Sequence, residues 1–267
     1  MLRICVAGVT GWTGRPVAEA VHAASDMELV SAVARRAAGR DIGEAWGVDH
    51  QGVPVHRTVA DALDAADAHV DVLIDYTSHL AVRDNVVAAL ERDVSVVVGS
   101  SGLSAEEYQE IDALARSRGA GVIAAGNFSV TAAMMQAAAT LAARYLPHWE
   151  IVDYASATKP DAPSGTAREL ADRLSTVRRE PAQPVHDAGS TPGARGTTVA
   201  GTQIHSVRLP GFVLSTEIVF GQEDERLSIR HDAGASANPY VAGTLLAARA
   251  VVSTVGLVRG LDTLLTL

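Results

Sequence analysis

Leu2-Arg3-Ile4-Cys5-Val6-Ala7, followed at once by Gly8-Val9-Thr10-Gly11-Trp12-Thr13-Gly14-Arg15 and then by Pro16-Val17-Ala18-Glu19-Ala20-Val21, is the stretch whose reading decides the fold. The first six residues are nearly all apolar, which predicts a strand buried on both faces of a parallel sheet. The last six carry a helical pattern. A glycine-rich turn between such a strand and such a helix predicts a dinucleotide site, because small residues let the main chain approach a pyrophosphate at the positive end of the helix. Gly8, Gly11, Trp12, Thr13 and Gly14 are the candidate contacts on this turn. The spacing alone is a weak signal; the strand before it and the helix behind it give it weight.

Working outward, residues 27–33 form the next apolar run and end in Ala34-Arg35-Arg36. A nicotinamide cofactor lacking a 2′-phosphate meets an acidic residue at this strand end. Arg35 and Arg36 instead offer planar forks that match a phosphate, so NADPH is expected over NADH; the competing reading is two solvated surface arginines. Strands over 70–76, 95–98 and 122–125 alternate with helices over 79–92 and 104–118, the latter opened by a Ser104/Glu107 capping pair, while 56–65 is a connector with a short helix. This alternation predicts a doubly wound parallel sheet of Rossmann type, with ligands beyond the carboxyl ends of its strands. Thr77, Gly99, Ser100, Ser101, Asn127 and Phe128 fall at those ends and are candidates for the nicotinamide side of the pocket. Small polar residues are also ordinary turn chemistry, so their convergence on one edge is what singles them out.

After an alanine-rich helix over 131–145, the hydrophobic period changes. Residues 150–156, 203–209, 213–220 and 225–231 alternate, which predicts strands with one buried and one wet face. The second half is therefore an α+β domain on an open mixed sheet, of a kind that finds a partner subunit to cover it. Residues 178–202, rich in Pro, Gly and Thr, predict a long mobile loop, either linker or lid. A final helix begins at Asn238-Pro239-Tyr240 and runs through 255, followed by 261–267.

Between the first two strands of that half lies Lys159-Pro160-Asp161-Ala162-Pro163-Ser164-Gly165-Thr166-Ala167. Lys159 is the one lysine in the sequence, every other strong cation being arginine. An ammonium can be desolvated and can hand over a proton, whereas guanidinium is a poor acid. Ser164-Gly165-Thr166 opens an amphipathic helix, with Ser164 and Thr166 as cap and first-turn residues and Gly165 leaving main-chain N–H groups approachable. Lysine before an anion-binding helix start points to a substrate bearing a carboxylate beside an atom that needs a proton. A capped helix after a loop with a solvated lysine is the plainer alternative.

Composition narrows the classes. With 267 residues the chain can bury a substantial core in one large domain or two modest ones. A net charge of −9 and no long Lys/Arg run argue against a nucleic-acid surface. The lone Cys5 lies in an apolar run, so no internal disulfide forms and a reducing compartment is expected. The sequence starts directly in a strand, without a leader pattern or an 18-residue apolar span, and a cytoplasmic protein with no membrane partner is expected. No His/Cys/Asp/Glu cluster has metal-ligand spacing, so no metal site is expected.

These motifs together resemble the dihydrodipicolinate reductase family over nearly the full length. The match rests on Lys159 with Asp161-Ala162-Pro163-Ser164-Gly165-Thr166-Ala167, on the turn ending Gly14-Arg15, on Gly99-Ser100-Ser101-Gly102 and on Asn127-Phe128-Ser129-Val130. The resemblance implies a dinucleotide-binding domain from 1–127 plus 238–267, a substrate-binding and oligomerisation domain over 128–237, and a homotetramer. It implies Lys159 as proton donor, a carboxylate cradle at Ser164, Gly165 and Thr166, and a small-molecule carboxylate substrate such as 4-hydroxy-tetrahydrodipicolinate, which places the chain in lysine biosynthesis. The family carries a His-His pair four and three residues before its lysine, the first an acid/base group and the second a substrate contact. Here those positions are Ala155 and Ser156, a further histidine position is Thr216, and Trp12 and Thr13 replace an arginine and a methionine.

Ala155 moves no proton, so an altered substrate or low native activity is expected, with Ser156 kept as the substrate-contact candidate. His205 and His231 are the two histidines on strands of the same domain that stand open as replacements. Beside an NADPH-dependent reductase of a cyclic imine or ene-imine stand two other classes: a non-redox lyase or isomerase using Lys159, and a catalytically silent NADPH-binding regulator. Retention of the lysine and the cradle argues against the last.

Overall fold

A computed structural model of the chain describes residues 1–67, 69–177, 191 and 193–265. The chain divides into two compact units, Met1–Val130 with Ala237–Leu267 and Thr131–Ser236.

In the first unit the order is β1 (Leu2–Ala7), α1 (Gly14–Ala23), β2 (Met27–Val33), α2 (Ile42–Trp46), β3 (Val55–His56), α3 (Val59–Asp64), β4 (Val72–Asp75), α4 (Val82–Leu90), β5 (Ser95–Val98), α5 (Ala105–Arg118), β6 (Gly121–Ala124) and the start of α6 (Val130–Ala143). Among the described residues seven strands make one parallel sheet in the order β12-β6-β5-β4-β1-β2-β3, where β12 is Gly256–Arg259 near the end of the chain. Cys5, Ala7, Val33, Leu73, Val96, Val98 and Val122 lie on the face covered by α3, α4 and α5. Ile4, Val6, Ala32, Ile74 and Ile123 alternate with them and are fully buried as well. Burial on both faces is why these strands read as unbroken apolar runs rather than alternating ones. The chain runs outward from β1 to β3, returns to β4 and continues the other way, so the strand order reverses between β1 and β4. Crevices that bind ligands in open α/β sheets lie at that reversal.

The second unit holds most of α6, then β7 (Trp149–Ala155), α7 (Gly165–Val177), β8 (Thr197–Val199), β9 (Thr202–Arg208), β10 (Leu214–Gln222) and β11 (Glu225–Ala233). Its sheet has the order β11-β10-β7-β9-β8, with β7 and β9 parallel and the other pairs antiparallel. Ile151, Ile204, Ile218 and Phe220 pack beneath Met135 and Ala139 of α6 and Leu170 and Leu174 of α7. The other face carries Glu150, Tyr154, His205 and Glu217, which are half-buried. Alternation along these strands is the sequence trace of that one-sided cover. The chain ends with α8 (Asn238–Val251), β12 and a 3₁₀ turn (Leu261–Leu264), all in the first unit.

Several local expectations need correction. The last helix stops at Val251, not at 255, and Gly256, at φ +84°, redirects the chain into β12 along β6. Four residues with only two large apolar side chains carry too little pattern to announce a strand. The two-residue β3 and the five-residue α2 also carry too little pattern to be announced. The helix expected over 79–92 is α4, Val82–Leu90, and Thr77 turns back onto Asp75 before it. The expected loop over 178–202 lies largely outside the described residues, and its end, Thr197–Val199, is strand β8 paired with β9.

Candidate active site

At the carboxyl ends of β1, β2 and β4 the first unit contains a cavity of about 1030 Å³, lined among others by Gly8, Gly11, Arg35, Arg36, Tyr76 and Thr77. The glycine turn is shaped by close packing. A Cβ on Gly8, which has φ +86°, would stand 2.1 Å from the Tyr76 carbonyl oxygen, and one on Gly14 would stand 2.1 Å from that of Gly8. Glycine is thus required for β1, β4 and α1 to meet. Thr13 occupies the N-cap of α1 without a side-chain cap bond; Arg15 N–H donates to the Gly11 carbonyl at 3.1 Å and Pro16 has none, so the Gly14 N–H is the first-turn donor left for an anion. Trp12 is exposed, with its ring 5.9 Å from that of Tyr240. Trp12, Thr13 and Gly14 do not line the cavity.

The residues expected at the other strand ends play more varied parts. The fully buried Asp75 carboxylate accepts from Ser100 Oγ at 2.5 Å, Asn85 Nδ2 at 2.7 Å, Thr77 Oγ1 at 2.9 Å and Thr77 N–H at 3.1 Å. The hydroxyls of Thr77 and Ser100 are therefore committed inward, and Ser100 lies outside the cavity lining. Gly99 is required by Tyr76, whose ring carbon Cε1 would be 2.1 Å from an added Cβ. Asn127 is buried and accepts from the Ser129 N–H at 2.8 Å, and the buried Phe128 ring meets Tyr76 edge-on at 6.2 Å. Ser101 is exposed and lies outside the lining. Arg57, Thr10 and Asn85 line the cavity and were not singled out from the sequence. The run Val53-Pro54-Val55-His56-Arg57 alternates after Gly52 and so hints at a short strand, but nothing in it marks Arg57 for this cavity.

In the second unit the loop 156–164 and the start of α7 form a second constellation. Lys159 Nζ lies 2.7 Å from Asp161 Oδ1, and its main-chain N–H donates to the Ser156 carbonyl at 3.0 Å. The Asp161 carboxyl is held below its ordinary range by the Lys159 hydrogen bond. Ser164 is the helix cap: its Oγ accepts from the Ala167 N–H at 3.3 Å, and its own N–H donates to Asp153 Oδ2 at 2.8 Å. Asp153 is fully buried on β7 and is met by Arg208 Nη2 at 2.8 Å, which also donates to the Asp161 carbonyl at 2.7 Å. Loop and helix start are thus tied to the sheet through one ion pair. Capping by Ser164 leaves the first-turn N–H groups of Gly165 and Thr166 open, and a Cβ on the exposed Gly165 would meet nothing within 4 Å. A carboxylate fits there, beside an ammonium on the same loop.

Register separates the two histidines. On the helix-covered face Ser206, Asp153, Thr216 and His231 are direct neighbours across β9, β7, β10 and β11. His231 is buried, and burial lowers its pKa, with Asp232 acting the other way. His205 lies on the opposite face, its Nε2 2.6 Å from Oε2 of Glu150, whose Oε1 meets Arg195. Ala155 is fully buried and Ser156 bonds Thr158 at 3.0 Å.

Residues 2–128 match the family described as "Dihydrodipicolinate reductase, N-terminus", and residues 129–265 match "Dihydrodipicolinate reductase, C-terminus". The chain belongs to the dihydrodipicolinate reductase family. Similar members of that family are the 4-hydroxy-tetrahydrodipicolinate reductases of Moorella thermoacetica, 38% identical over 99% of this chain and 98% of that one, and of Cutibacterium acnes, 38% identical over 100% of both. The dipicolinate-bound dihydrodipicolinate reductase from Paenisporosarcina sp. TG-14 superposes with a TM-score of 0.85 at 31% identity, covering 99% of this chain and 100% of that chain. As a dihydrodipicolinate reductase family member the chain is an oxidoreductase. The amine dehydrogenase from Mycobacterium smegmatis, at 17% identity and a TM-score of 0.69 over 98% of this chain and 95% of that chain, shares the fold.

Proposed function

We propose that the protein is an NADPH-dependent reductase of a cyclic imine or ene-imine that carries a carboxylate, of the 4-hydroxy-tetrahydrodipicolinate kind, with a shifted substrate or a low rate on that compound. The observation that carries this reading is the open first turn of α7 behind the only lysine of the sequence, both anchored through Asp153 and Arg208. Gly165 and Thr166 bind the substrate carboxylate, Ser164 fixes the helix start, Ser156 is a further substrate contact, and Lys159 delivers a proton to the atom left with the electron pair when the other end of the double bond takes the hydride. The cavity of the first unit fits a pyridine nucleotide: its glycine turn accommodates a pyrophosphate, and Arg35 and Arg36 suit a 2′-phosphate. The reduced nicotinamide, when bound, supplies the hydride.

The shift in substrate or rate follows from position 155. A fully buried alanine moves no proton, and losing a general acid or base costs on the order of 10²- to 10⁴-fold. Assembly as a homotetramer is part of the same proposal, supported by the sheet face opposite α6 and α7, where Tyr154 stacks on Phe212 at 5.1 Å under the Arg230 guanidinium. So is a cytoplasmic location, which suits a family of biosynthetic enzymes.

Purified protein mixed with NADPH and freshly generated 4-hydroxy-tetrahydrodipicolinate tests the reading. Loss of the reduced-cofactor absorbance supports the lysine-pathway reaction itself. Tight NADPH binding with slow or absent turnover supports a changed substrate. Absence of nucleotide binding would overturn the reductase assignment in favour of non-redox chemistry at Lys159.

A further inference from the structure

We propose that Arg57 is a third phosphate-reading arginine of the cofactor cavity and helps set the choice of NADPH over NADH. The inference rests on the nucleotide reading of that cavity and extends it to a residue outside the strand end where such discrimination is usually sought.

Sheet register brings the residue there. β2 and β3 pair in parallel with Val33 opposite His56, and the Ala34 N–H donates to the His56 carbonyl at 3.0 Å. Arg57 therefore leaves the sheet beside the point where Arg35 and Arg36 leave it, and all three line the same cavity with Gly8 and Gly11.

Charge pairing is the second observation. Elsewhere in this unit Arg3, Arg15, Arg83, Arg92, Arg116 and Arg249 each have a carboxylate at 2.7–3.8 Å. Among the described residues Arg35, Arg36, Arg57 and Arg40 have none, and all four are exposed; the first three line this cavity, whereas Arg40 borders the neighbouring one. In a chain of net charge −9, with carboxylates in excess, unpartnered guanidinium groups gathered on one cavity wall mark a place built for an incoming dianion. A nucleotide 2′-phosphate has that charge and enough acceptor oxygens for more than two forks. Arg57 also borders a neighbouring cavity of about 560 Å³ with Arg40, His50 and His56, and service to that cavity alone is the rival role the test must separate.

The test is equilibrium binding to the full chain, by calorimetry, of NADPH, NADH, adenosine 2′,5′-bisphosphate and adenosine 5′-phosphate. Arg57→Ala should weaken NADPH and the bisphosphate about tenfold or more, the scale of one charge-assisted hydrogen bond, while NADH and the monophosphate change less than about twofold. Arg57→Lys should fall between, and Arg35→Ala should show the same selective loss. Arg57→Ala that leaves NADPH affinity intact, or weakens NADPH and NADH alike, overturns the role of Arg57 while the nucleotide reading stands. Parental protein that binds none of the four probes overturns both.

Discussion

The ammonium of Lys159 lies 2.7 Å from the carboxylate of Asp161, two residues along the same loop, while the Asp161 carbonyl is gripped by Arg208. The lysine is thus held at both ends of a short chain of contacts that runs through Asp153 to the cap of α7. With side-chain exposures of 31% and 46%, the Lys159–Asp161 pair adds at most about 1 kcal/mol to stability. In the proposed reaction its role is to orient the ammonium before substrate arrives.

Lys159→Ala should accordingly leave the unfolding midpoint and the NADPH affinity nearly unchanged while cutting turnover on the order of 10²- to 10⁴-fold. Steady-state rates alongside calorimetric NADPH titration measure both. A mutant that reacts at the parental rate removes the proton-delivery role.

Asp153→Ala should behave in the opposite manner. Removing the carboxylate leaves Arg208, which is 16% exposed at its side chain, with main-chain carbonyls but no counter-charge, and takes the acceptor away from the Ser164 N–H. Breaking a buried pair from one side costs about 3 kcal/mol or more, so denaturant unfolding should shift markedly and substrate affinity should fall as the start of α7 loosens. Asp153→Asn keeps the shape and should recover part of the stability.

Two glycines offer a paired test of packing against function. Gly8→Ala places a Cβ 2.1 Å from the Tyr76 carbonyl oxygen in left-handed backbone and should cost at least about 2 kcal/mol. Gly165→Ala meets open space and should leave stability within about 0.5 kcal/mol, yet raise KM by crowding the approach to the helix N–H groups. Urea denaturation and substrate-saturation curves distinguish the two; a Gly165→Ala enzyme with unchanged KM would argue that no ligand group approaches there.

The parallel sheet was legible because strands buried on both faces must be apolar throughout, as in Ile4 to Ala7 and Val96 to Val98. The second sheet was legible because Ile151, Asp153 and Ala155 alternate with wetter neighbours. Lys159, Ser164 and Gly165 announced themselves by type and spacing. Arg57 did not, since only the Val33–His56 register brings it beside Arg35. The clamp of Asp153 and Arg208 was hidden for the same reason: the two residues lie 55 positions apart and meet only across the β7–β9 pair. Thr77 and Ser100 looked like free turn hydroxyls, but a buried carboxylate at position 75 claims both.

The choice between the two histidines yields the last prediction. His205 is on the face away from α7 and is engaged by Glu150, whereas His231 shares the buried face with Asp153 and Thr216. His231→Gln should therefore depress turnover more than His205→Gln if either histidine supplies the function absent at Ala155. Stability gives an independent check with a definite sign. Burial lowers the His231 pKa in the folded protein, so the unfolded chain binds its proton first as pH falls. The contribution of neutral His231 is complete above the unfolded value near 6.5 and is lost as pH drops from there toward the lower folded value. Denaturant midpoints of the parental protein should decline over that window, and His231→Gln should flatten the decline; equal slopes in both proteins would show that this imidazole is not buried neutral.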